Sequence, residues 1–491
     1  MLQRLILLAV WIPVLSGLSG SAQETEPSKV VISVDTNQPE QTFDGMGCGS
    51  IFYSGHLTSL AKRGKNDLQN ELYDDLFKEI PTKFLHVMIR PAFEPVNDND
   101  DPYKLEFPPE AFEKNADALE VYREARKRRP DMEVYATLYT PPGWMKTNGQ
   151  ETGGGKSKAT LKPGLELELG EYIWAYLRHM NESGCPVEYL SVCNESDWTH
   201  SQPGYFLRPK EHAKLFRTLV DYFEKMAQAD PDTPMPQLVA PNGINVISAA
   251  KRFIPKLDAK SDKAVSVLGS HDYDRAKPER WQLLRDVAKE RPVWCTEWCW
   301  NGKDNSPDLI QTANASWSVM CDGFNHGLNV WMHYDWVYPP RPGGEALVHV
   351  DWGKSYHRTK MYYAFRQWSR PLHPGMRVVR CHVDAPSTAL ITAVGGKQKT
   401  MESSVKSSAF MDPETKQLVV HIVNVTKQPT DFELRVKNFP DGQLETTRTT
   451  GDLSDEAGKG IAIENGVCRG KLQPKEMLTL QTTPIASEAS H

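Results

Sequence analysis

From residue 84 onward the chain alternates short apolar runs with longer stretches in which apolar residues recur at helical spacing. The short runs predict strands and the longer stretches predict helices, an alternation typical of βα units around a parallel sheet. Counting one earlier run, eight strands are predicted, at 46–53, 84–90, 133–139, 187–195, 236–241, 264–272, 292–297 and 328–334. Helices are predicted at 66–79, 165–183, 210–229, 277–289 and, as the last of the barrel, 356–370. Eight such units form a (β/α)8 barrel.

After Gly375 the pattern changes to strands without helices, at 378–383, 389–395, 418–425, 432–436, 460–463 and 477–482. This pattern predicts an antiparallel β-sandwich, which an early strand at 29–34 could complete. The predicted fold class is therefore α/β, a TIM barrel over residues 46–374 with an appended C-terminal antiparallel β-sandwich over residues 375–491. Segment 23–45 is expected to contribute to the sandwich.

The first 22 residues have the pattern of a signal peptide. Arg4 precedes an apolar stretch at 5–18, which is followed by the small residues Gly20, Ser21 and Ala22. A short membrane anchor is the alternative, but the stretch is short and interrupted. The mature protein is therefore expected to be secreted or periplasmic, with no integral membrane segment.

Charge and aromatic content narrow the class of partner. The formal net charge is −6 and is spread without long runs, so electrostatics gives no reason to expect nucleic acid or an anionic membrane. The 13 tryptophans and 17 tyrosines favour a carbohydrate partner, because flat aromatic rings pack against the C–H faces of sugars.

Two short apolar runs each end on a carboxylate, at Glu195 and Glu297. The two glutamates are about 100 residues apart, which is three βα units of roughly 34 residues. That spacing places them at the C-terminal ends of the fourth and seventh barrel strands, facing one cleft. Two carboxyl groups about 5–5.5 Å apart are what a retaining β-glycosidase uses.

We assign Glu297 as the nucleophile and Glu195 as the acid and then the base. Two negative charges at this distance disfavour each other, which raises the pKa of one carboxyl group. Asn194 could donate to a substrate 2-hydroxyl, and Arg90, at the end of the second strand, could hold Glu297 ionised. His271 and Tyr273 end the sixth strand, where the tyrosine hydroxyl could donate to the nucleophile.

Five aromatic residues also fall near the C-terminal ends of the predicted strands, where they could stack on a sugar ring. Packing in the core is the alternative for each of them. They are Tyr139, Trp144, Trp198, Trp298 and Trp331.

The chain has eight cysteines, and their disulfide connectivity cannot be read from the sequence. Cys193, Cys295 and Cys299 flank the two glutamates, but their spacing fits no zinc-finger or zincin pattern. Small buried thiols lining the barrel strands are expected instead, with no metal and no cofactor.

Several motifs together resemble glycoside hydrolase family 30, which includes glucosylceramidases, β-1,6-glucanases and glucuronoxylanases. They are Gln41-Thr42-Phe43-Asp44-Gly45-Met46-Gly47, Thr140-Pro141-Pro142-Gly143-Trp144-Met145-Lys146-Thr147-Asn148-Gly149, Asn194-Glu195, Thr296-Glu297 and Tyr362-Tyr363-Ala364-Phe365. The resemblance implies Glu195 as acid/base and Glu297 as nucleophile. It also implies supporting roles for Arg90, Trp144, Asn194, Tyr273 and Trp331.

The chain departs from the family pattern at Ser196, where the family usually has proline, and in the cysteines on either side of Glu297. The related galactocerebrosidase-like family, which has a similar barrel and sandwich, remains an alternative resemblance.

Taken together, the signal peptide, the two glutamates and the motifs predict an exported retaining β-glycosidase that acts on a glycan. A non-catalytic carbohydrate-binding relative and a metal-dependent hydrolase that uses the cysteines are the alternatives.

Overall fold

The computed structural model describes residues 29–483 apart from 91–92, 108, 199–200, 274–276, 301–305, 342, 344 and 392–398. The predicted signal peptide and part of the strand predicted at 389–395 lie outside the described residues. Among the helices of the described part, none is both long and apolar enough to cross a membrane.

The barrel follows an initial strand, β1 (Val30–Thr42). Its eight strands are β2 (Gly45–Ser50), β3 (Phe84–Ile89), β4 (Glu133–Leu138), β5 (Tyr189–Ser191), β6 (Gln237–Gly243), β7 (Val265–His271), β8 (Val293–Trp298) and β9 (Val330–His333). Each strand pairs in parallel with the next, and β9 pairs with β2 to close the ring. The predicted TIM barrel is confirmed.

Both faces of the barrel strands are buried, which is why their sequences are almost continuously apolar. One face packs against the surrounding helices. The other fills the interior of the barrel, with Phe84, Tyr135, Val239, Val267, Trp294, Val330 and Met332.

Ten helices are described, most of them on the outside of the barrel. They are α1 (Ser54–Leu57), α2 (Asn66–Phe77), α3 (Ala116–Arg128), α4 (Glu166–Glu182), α5 (Pro209–Ala229), α6 (Val246–Ser248), α7 (Ala259–Ala264), α8 (Arg280–Ala288), α9 (Ile310–Phe324) and α10 (Lys360–Ser369).

The last barrel helix, α10, begins four residues later than predicted. Before it lie three short strands, β10 (Val337–Tyr338), β11 (Val348–Asp351) and β12 (Ser355–Arg358), which form a small sheet of their own. Residues 356–358 therefore belong to a strand and not to the helix. Thr359 sets the helix start, because its hydroxyl accepts a hydrogen bond from the Tyr362 N–H at 3.2 Å.

The remaining strands confirm the predicted sandwich. They are β13 (Arg377–Asp384), β14 (Ser387–Ile391), β15 (Lys399–Ser403), β16 (Val405–Met411), β17 (Leu418–Asn424), β18 (Thr430–Val436), β19 (Gly442–Thr449), β20 (Glu456–Ile463), β21 (Val467–Leu472) and β22 (Met477–Gln481). Together with β1, all but β14 and β15 form one nine-stranded sheet around an apolar core. Strand β1 pairs antiparallel with β13 but parallel with β18, so the sheet is mostly and not wholly antiparallel.

The sandwich packs on the barrel through aromatic and ionic contacts. The Phe43 ring lies 5.6 Å from the rings of both Phe324 on α9 and Phe410 on β16. Lys406 on β16 reaches both carboxylate oxygens of Asp322 on α9 at 2.8 Å, and both side chains are buried. The two parts of the described chain therefore share a buried interface.

Candidate active site

Glu195 and Glu297 converge at the C-terminal end of the barrel. Glu195 lies four residues beyond β5, the fourth barrel strand, and Glu297 lies in β8, the seventh. A carboxylate oxygen of each lies within 4.8 Å of the other, and both residues are buried, at 5% and 6% exposed. Two carboxyl groups therefore face one small volume from non-adjacent strands.

The backbone of Glu195 has a left-handed conformation, with φ at +44°. Such a conformation is unfavourable for a residue with a side chain and persists where neighbours hold it. The Glu195 N–H donates to the Asn242 carbonyl oxygen at 2.9 Å, and the Glu195 carbonyl accepts from the Trp198 N–H at 2.9 Å. The direction of the Glu195 side chain is thus fixed from both sides.

Asn242, on β6, connects the segments that carry the two glutamates. It is fully buried, and its φ is +55°. Its Nδ2 donates to the Cys193 carbonyl at 2.9 Å, and its Oδ1 accepts from the Thr296 hydroxyl at 2.6 Å. Sequence reasoning missed this residue. The only signal was its place in Ala240-Pro241-Asn242-Gly243, at the end of a strand.

Two tyrosine hydroxyls donate to Glu297. Tyr139 reaches Oε2 at 2.5 Å and Tyr273 reaches Oε1 at 2.9 Å. Burial and the charge of Glu195 raise the pKa of Glu297, whereas the charge of His271 and the two hydroxyl donors oppose that rise. The net direction is upward, so ionisation of Glu297 depends on these three neighbours.

His271 lies between the two carboxylates. It is fully buried, its Nδ1 lies 2.7 Å from Glu195 Oε1 and 3.7 Å from Glu297 Oε1, and it stands opposite Glu297 in the pairing of β7 with β8. Burial lowers its pKa, but the charge of Glu297 and the hydrogen bond with Glu195 outweigh burial, so the pKa is raised above its ordinary value. The positive charge of a protonated imidazole at this position offsets the negative charge of the two carboxylates.

Three other predicted residues lie around the cleft. The Arg90 guanidinium donates to the Ile51 carbonyl at 2.8 Å, and the hydrogen bonds to Glu297 described here come from the tyrosines instead. Asn194 is buried, and its Oδ1 has no partner among the described residues. Trp144 donates from Nε1 to the Glu94 carbonyl at 3.0 Å, which ties two loops together.

The predicted sugar contacts at Trp298 and Trp331 are wrong. Both side chains are fully buried, with ring centroids 5.5 Å apart, in the apolar cluster outside the barrel. Successive side chains of a strand point to opposite faces, so the residue after Glu297 points away from the cleft. Trp198 by contrast is 53% exposed and lies three residues after Glu195.

An aromatic cluster near Glu297 was also missed. It contains Phe52, Tyr53, Tyr334 and Tyr338 together with Tyr139 and Tyr273. The Tyr338 hydroxyl donates to the Tyr334 hydroxyl at 2.9 Å, and the Phe52 and Tyr139 rings lie 5.9 Å apart. Phe52, Tyr53 and Tyr334 lie at the ends of the strands predicted at 46–53 and 328–334, and Tyr338 lies in the short strand β10. No single run of sequence shows that these rings meet beside the cleft.

The cleft contains side chains that are possible metal ligands. Within the described residues, one group of three or more His, Cys, Asp and Glu side chains places its ligand atoms within 4.8 Å of one another, and it is Glu195, His271 and Glu297. Two carboxylates and an imidazole are ligands that divalent metals accept. That set contains no cysteine. All eight cysteines are free thiols, seven of them buried, and burial raises the pKa of the Cys193 thiol to about 12.

Comparison with known proteins supports the resemblance found in the motifs. No family model matches the chain. A Caenorhabditis elegans protein described as a glucosylceramidase is 20% identical over 456 residues, which cover 86% of this chain and 82% of that protein.

Two solved structures have a similar fold. A glycoside hydrolase family 30 subfamily 8 xylanase from Clostridium acetobutylicum has a TM-score of 0.65 and 19% identity, covering 92% of this chain and 98% of that one. Xylanase C of the same family from Talaromyces cellulolyticus has a TM-score of 0.70 and 17% identity, covering 92% and 100%. The predicted resemblance to family 30 is confirmed, and the likeness of the structures is one of fold.

Proposed function

We propose that the protein is an exported retaining β-glycosidase of glycoside hydrolase family 30 that acts on a glycan. The observation that carries this proposal is the approach of the Glu195 and Glu297 carboxylate oxygens to within 4.8 Å. A separation of about 5–5.5 Å suits direct attack by one carboxylate, whereas inverting enzymes need about 6.5–9.5 Å to admit a water molecule.

In the first step Glu297 attacks the anomeric carbon and forms a glycosyl ester, while the proton of Glu195 passes to the leaving oxygen. Tyr139 and Tyr273 hold the two Glu297 oxygens and so fix the direction of attack. A protonated His271 donates from Nδ1 to Glu195 Oε1 at 2.7 Å and so orients the carboxyl group that supplies the acid proton.

In the second step water replaces the sugar on Glu297. Glu195 gave its proton to the leaving oxygen in the first step, and it stays a carboxylate because esterification has removed the neighbouring negative charge of Glu297. As a base it then takes a proton from the attacking water, whose oxygen bonds to the anomeric carbon as the ester bond to Glu297 breaks. The Oδ1 atom of Asn194 is buried and has no partner among the described residues. The amide group of Asn194 is therefore available to bind a sugar hydroxyl.

Two substitutions and one label test the assignment. Glu297→Gln and Glu195→Gln should each lower turnover by several orders of magnitude without unfolding the protein. Glu171→Gln, at a buried glutamate on α4, is the matched control and should keep the activity. A 2-fluoro glycoside with a good leaving group should add one sugar mass to the peptide that contains Glu297. Labelling elsewhere, or near wild-type rates in either active-site variant, would reject the assignment.

The metal alternative is tested in the same assay. Because Glu195, His271 and Glu297 are also ligands that a divalent ion accepts, activity is measured before and after dialysis against a chelator. Full activity after dialysis supports the double-displacement mechanism. Loss of activity that is restored by added zinc would favour a metal-dependent hydrolase.

Export is part of the proposal, with residues 1–22 as the signal peptide. Its support is the charged, apolar and small-residue pattern of that segment. Mass spectrometry of the protein recovered outside the producing cell should give a mature N-terminus near residue 23. An intact Met1 on the exported protein would contradict cleavage.

A further inference from the structure

Five buried charged side chains, here called the charge network, connect the end of β7 with the sandwich. They are Asp272, Arg280, Asp322, Lys406 and Glu402, and each is at most 6% exposed. Buried ion pairs add little net stability, because the cost of removing the charges from water offsets their attraction. They do fix geometry, since each buried charge must keep its partner. The network therefore holds the segments that carry it in fixed relative positions.

The inner end of the network lies between two residues of the site. His271 and Tyr273 contact the two glutamates, and Asp272 stands between them in the sequence. The Asp272 carboxylate points the other way, towards α8, where it accepts two hydrogen bonds from the Arg280 guanidinium. The backbone that carries His271 and Tyr273 is thus anchored at the residue between them.

Two tryptophans also hold Asp272. Trp281 donates from Nε1 to the Asp272 carboxylate, and Trp298 donates from Nε1 to the Asp272 carbonyl, both at 3.2 Å. Both tryptophan side chains are fully buried, and Trp298 directly follows Glu297 in β8. A displacement of Asp272 would therefore disturb both β7 and β8, the two strands that carry His271 and the nucleophile.

The outer end of the network belongs to the sandwich. Arg280 Nη1 lies 3.7 Å from Asp322 Oδ2 on α9, and Lys406 Nζ on β16 lies 2.8 Å from both oxygens of Asp322. Lys406 also pairs with Glu402 on β15. Burial acts to lower the pKa of Arg280, but the charges of Asp272 and of the two outer carboxylates outweigh burial and raise that pKa. Arg280 therefore stays a cation that responds to charges on both the barrel and the sandwich.

Arg280 is shared between two carboxylates, and Lys406 controls how it is shared. While the lysine neutralises Asp322, the guanidinium keeps both of its hydrogen bonds to Asp272. Without that positive charge, Asp322 would attract Arg280 more strongly and draw it away from Asp272. The residues on either side of Asp272 would then move relative to the glutamates.

We propose that Lys406 of the sandwich and Arg280 of the barrel are positioning residues for the reaction at Glu195 and Glu297. They act through Asp272 and its two neighbours in the sequence. The sandwich therefore takes part in aligning the site as well as in packing. The effect on catalysis rests on the proposed glycosidase function, whereas the effect on the geometry of the site does not.

The geometry is measured without a substrate by proton NMR of the full-length protein. His271 Nδ1 lies 2.7 Å from a Glu195 carboxylate oxygen, and a proton in such a hydrogen bond resonates far downfield of the backbone amides. The resonance is assigned by its absence in His271→Gln. Lys406→Gln removes the positive charge at the outer end of the network and should shift the resonance upfield as this hydrogen bond lengthens. Lys406→Arg keeps the charge and should leave the resonance near its wild-type position.

Steady-state kinetics on an aryl glycoside gives the second readout. Lys406→Gln and Arg280→Lys should each lower kcat about threefold to tenfold with little change in KM, because a slight misalignment impairs attack more than binding. Arg280→Lys keeps the charge but loses the planar fork that makes two hydrogen bonds to Asp272. Lys406→Arg should recover most of the kcat that is lost in Lys406→Gln.

Arg366→Gln is the matched control, because Arg366 also joins the barrel to the sandwich. Arg366 lies on α10 and donates to the buried Asp455 at 2.6 Å, and α10 carries none of the residues assigned to the site. This variant should lose stability at the same interface but keep both the resonance and kcat. Thermal unfolding of every variant shows that the kinetics refer to folded protein.

A shifted resonance and a lower kcat in Lys406→Gln, with neither in Arg366→Gln, would support the proposal. An unmoved resonance with unchanged kcat in Lys406→Gln, or equal losses in the two variants, would overturn it. If Lys406→Gln does not fold, the double variant Lys406→Gln/Glu402→Gln, which removes a cation and an anion together, is judged by the same two results. A shifted resonance in a protein that cleaves no glycoside would retain the positioning role of the network and reject the glycosidase.

Discussion

The Thr296 hydroxyl donates to Asn242 Oδ1 at 2.6 Å, and this bond joins the residue before Glu297 to the residue whose carbonyl accepts the Glu195 N–H. We expect Thr296→Val and Asn242→Ala to lower kcat by about tenfold to a hundredfold with little change in KM, because a small displacement of the carboxylates impairs attack more than binding. Steady-state kinetics on an aryl glycoside measures both parameters.

A control variant distinguishes a positioning role of Thr296 from a purely structural one. Thr312 on α9 is equally buried, and its hydroxyl has no described partner. Thr312→Val should therefore leave kcat unchanged, which shows that loss of a buried hydroxyl is harmless in itself. If Thr296→Val lost stability but kept its kcat, the bridge through Asn242 would have no part in aligning the glutamates.

His271 should control the pH dependence of the reaction. A protonated His271 lowers the pKa of Glu297, so replacing it with neutral glutamine raises that pKa further. The acidic limb of the kcat/KM profile reports ionisation of the nucleophile and should move to higher pH by about one unit in His271→Gln. Burial lowers the pKa of His333 to about 4, so that side chain is neutral. His333→Gln should leave the limb in place, and an unmoved limb in His271→Gln would contradict the role.

The two tryptophans near the glutamates should behave in opposite ways. Trp298 is fully buried and donates to the Asp272 carbonyl at 3.2 Å, so Trp298→Ala should cost about 3–5 kcal/mol of unfolding free energy. Trp198 is 53% exposed, so Trp198→Ala should keep its Tm and raise KM severalfold through loss of a sugar contact. Thermal unfolding and KM measured on both variants test this contrast. A stable Trp298→Ala protein would contradict it.

The sequence located the barrel because strands covered on both faces are apolar along their length, as in Val293-Trp294-Cys295. It located Glu195 and Glu297 because a carboxylate at the end of such a run faces the mouth of the barrel. The error at Trp298 came from applying the same rule to the next residue, since a shift of one position along a strand reverses the face.

Relations that depend on several strands could not be predicted. Asn242 links the two glutamate-bearing segments through its left-handed backbone conformation and through hydrogen bonds to Thr296 on β8 and to Cys193 after β5. No single run of sequence shows these relations. The place of His271 between two carboxylates follows from the register of β7 on β8, which the sequence does not specify. The start of α10 was placed too early because Tyr356 fits a helical pattern as well as the strand it forms.

Glu94 should make the stability of the fold depend on pH. It is 3% exposed, neither carboxylate oxygen has a described partner, and burial, then the charges of Asp98 and Glu171, raise its pKa to about 9. Between about pH 4.5, its value in the unfolded chain, and pH 9, the folded state holds a proton that the unfolded state releases. Stability therefore falls as pH rises through this window.

Glu94→Gln removes the titration, so its Tm relative to wild type should increase with pH and reach about 3 °C or more at pH 8. Glu110→Gln, at an exposed glutamate, should show no such trend. A Tm difference that stays constant from pH 5 to pH 8 would mean that Glu94 is already ionised in the folded protein.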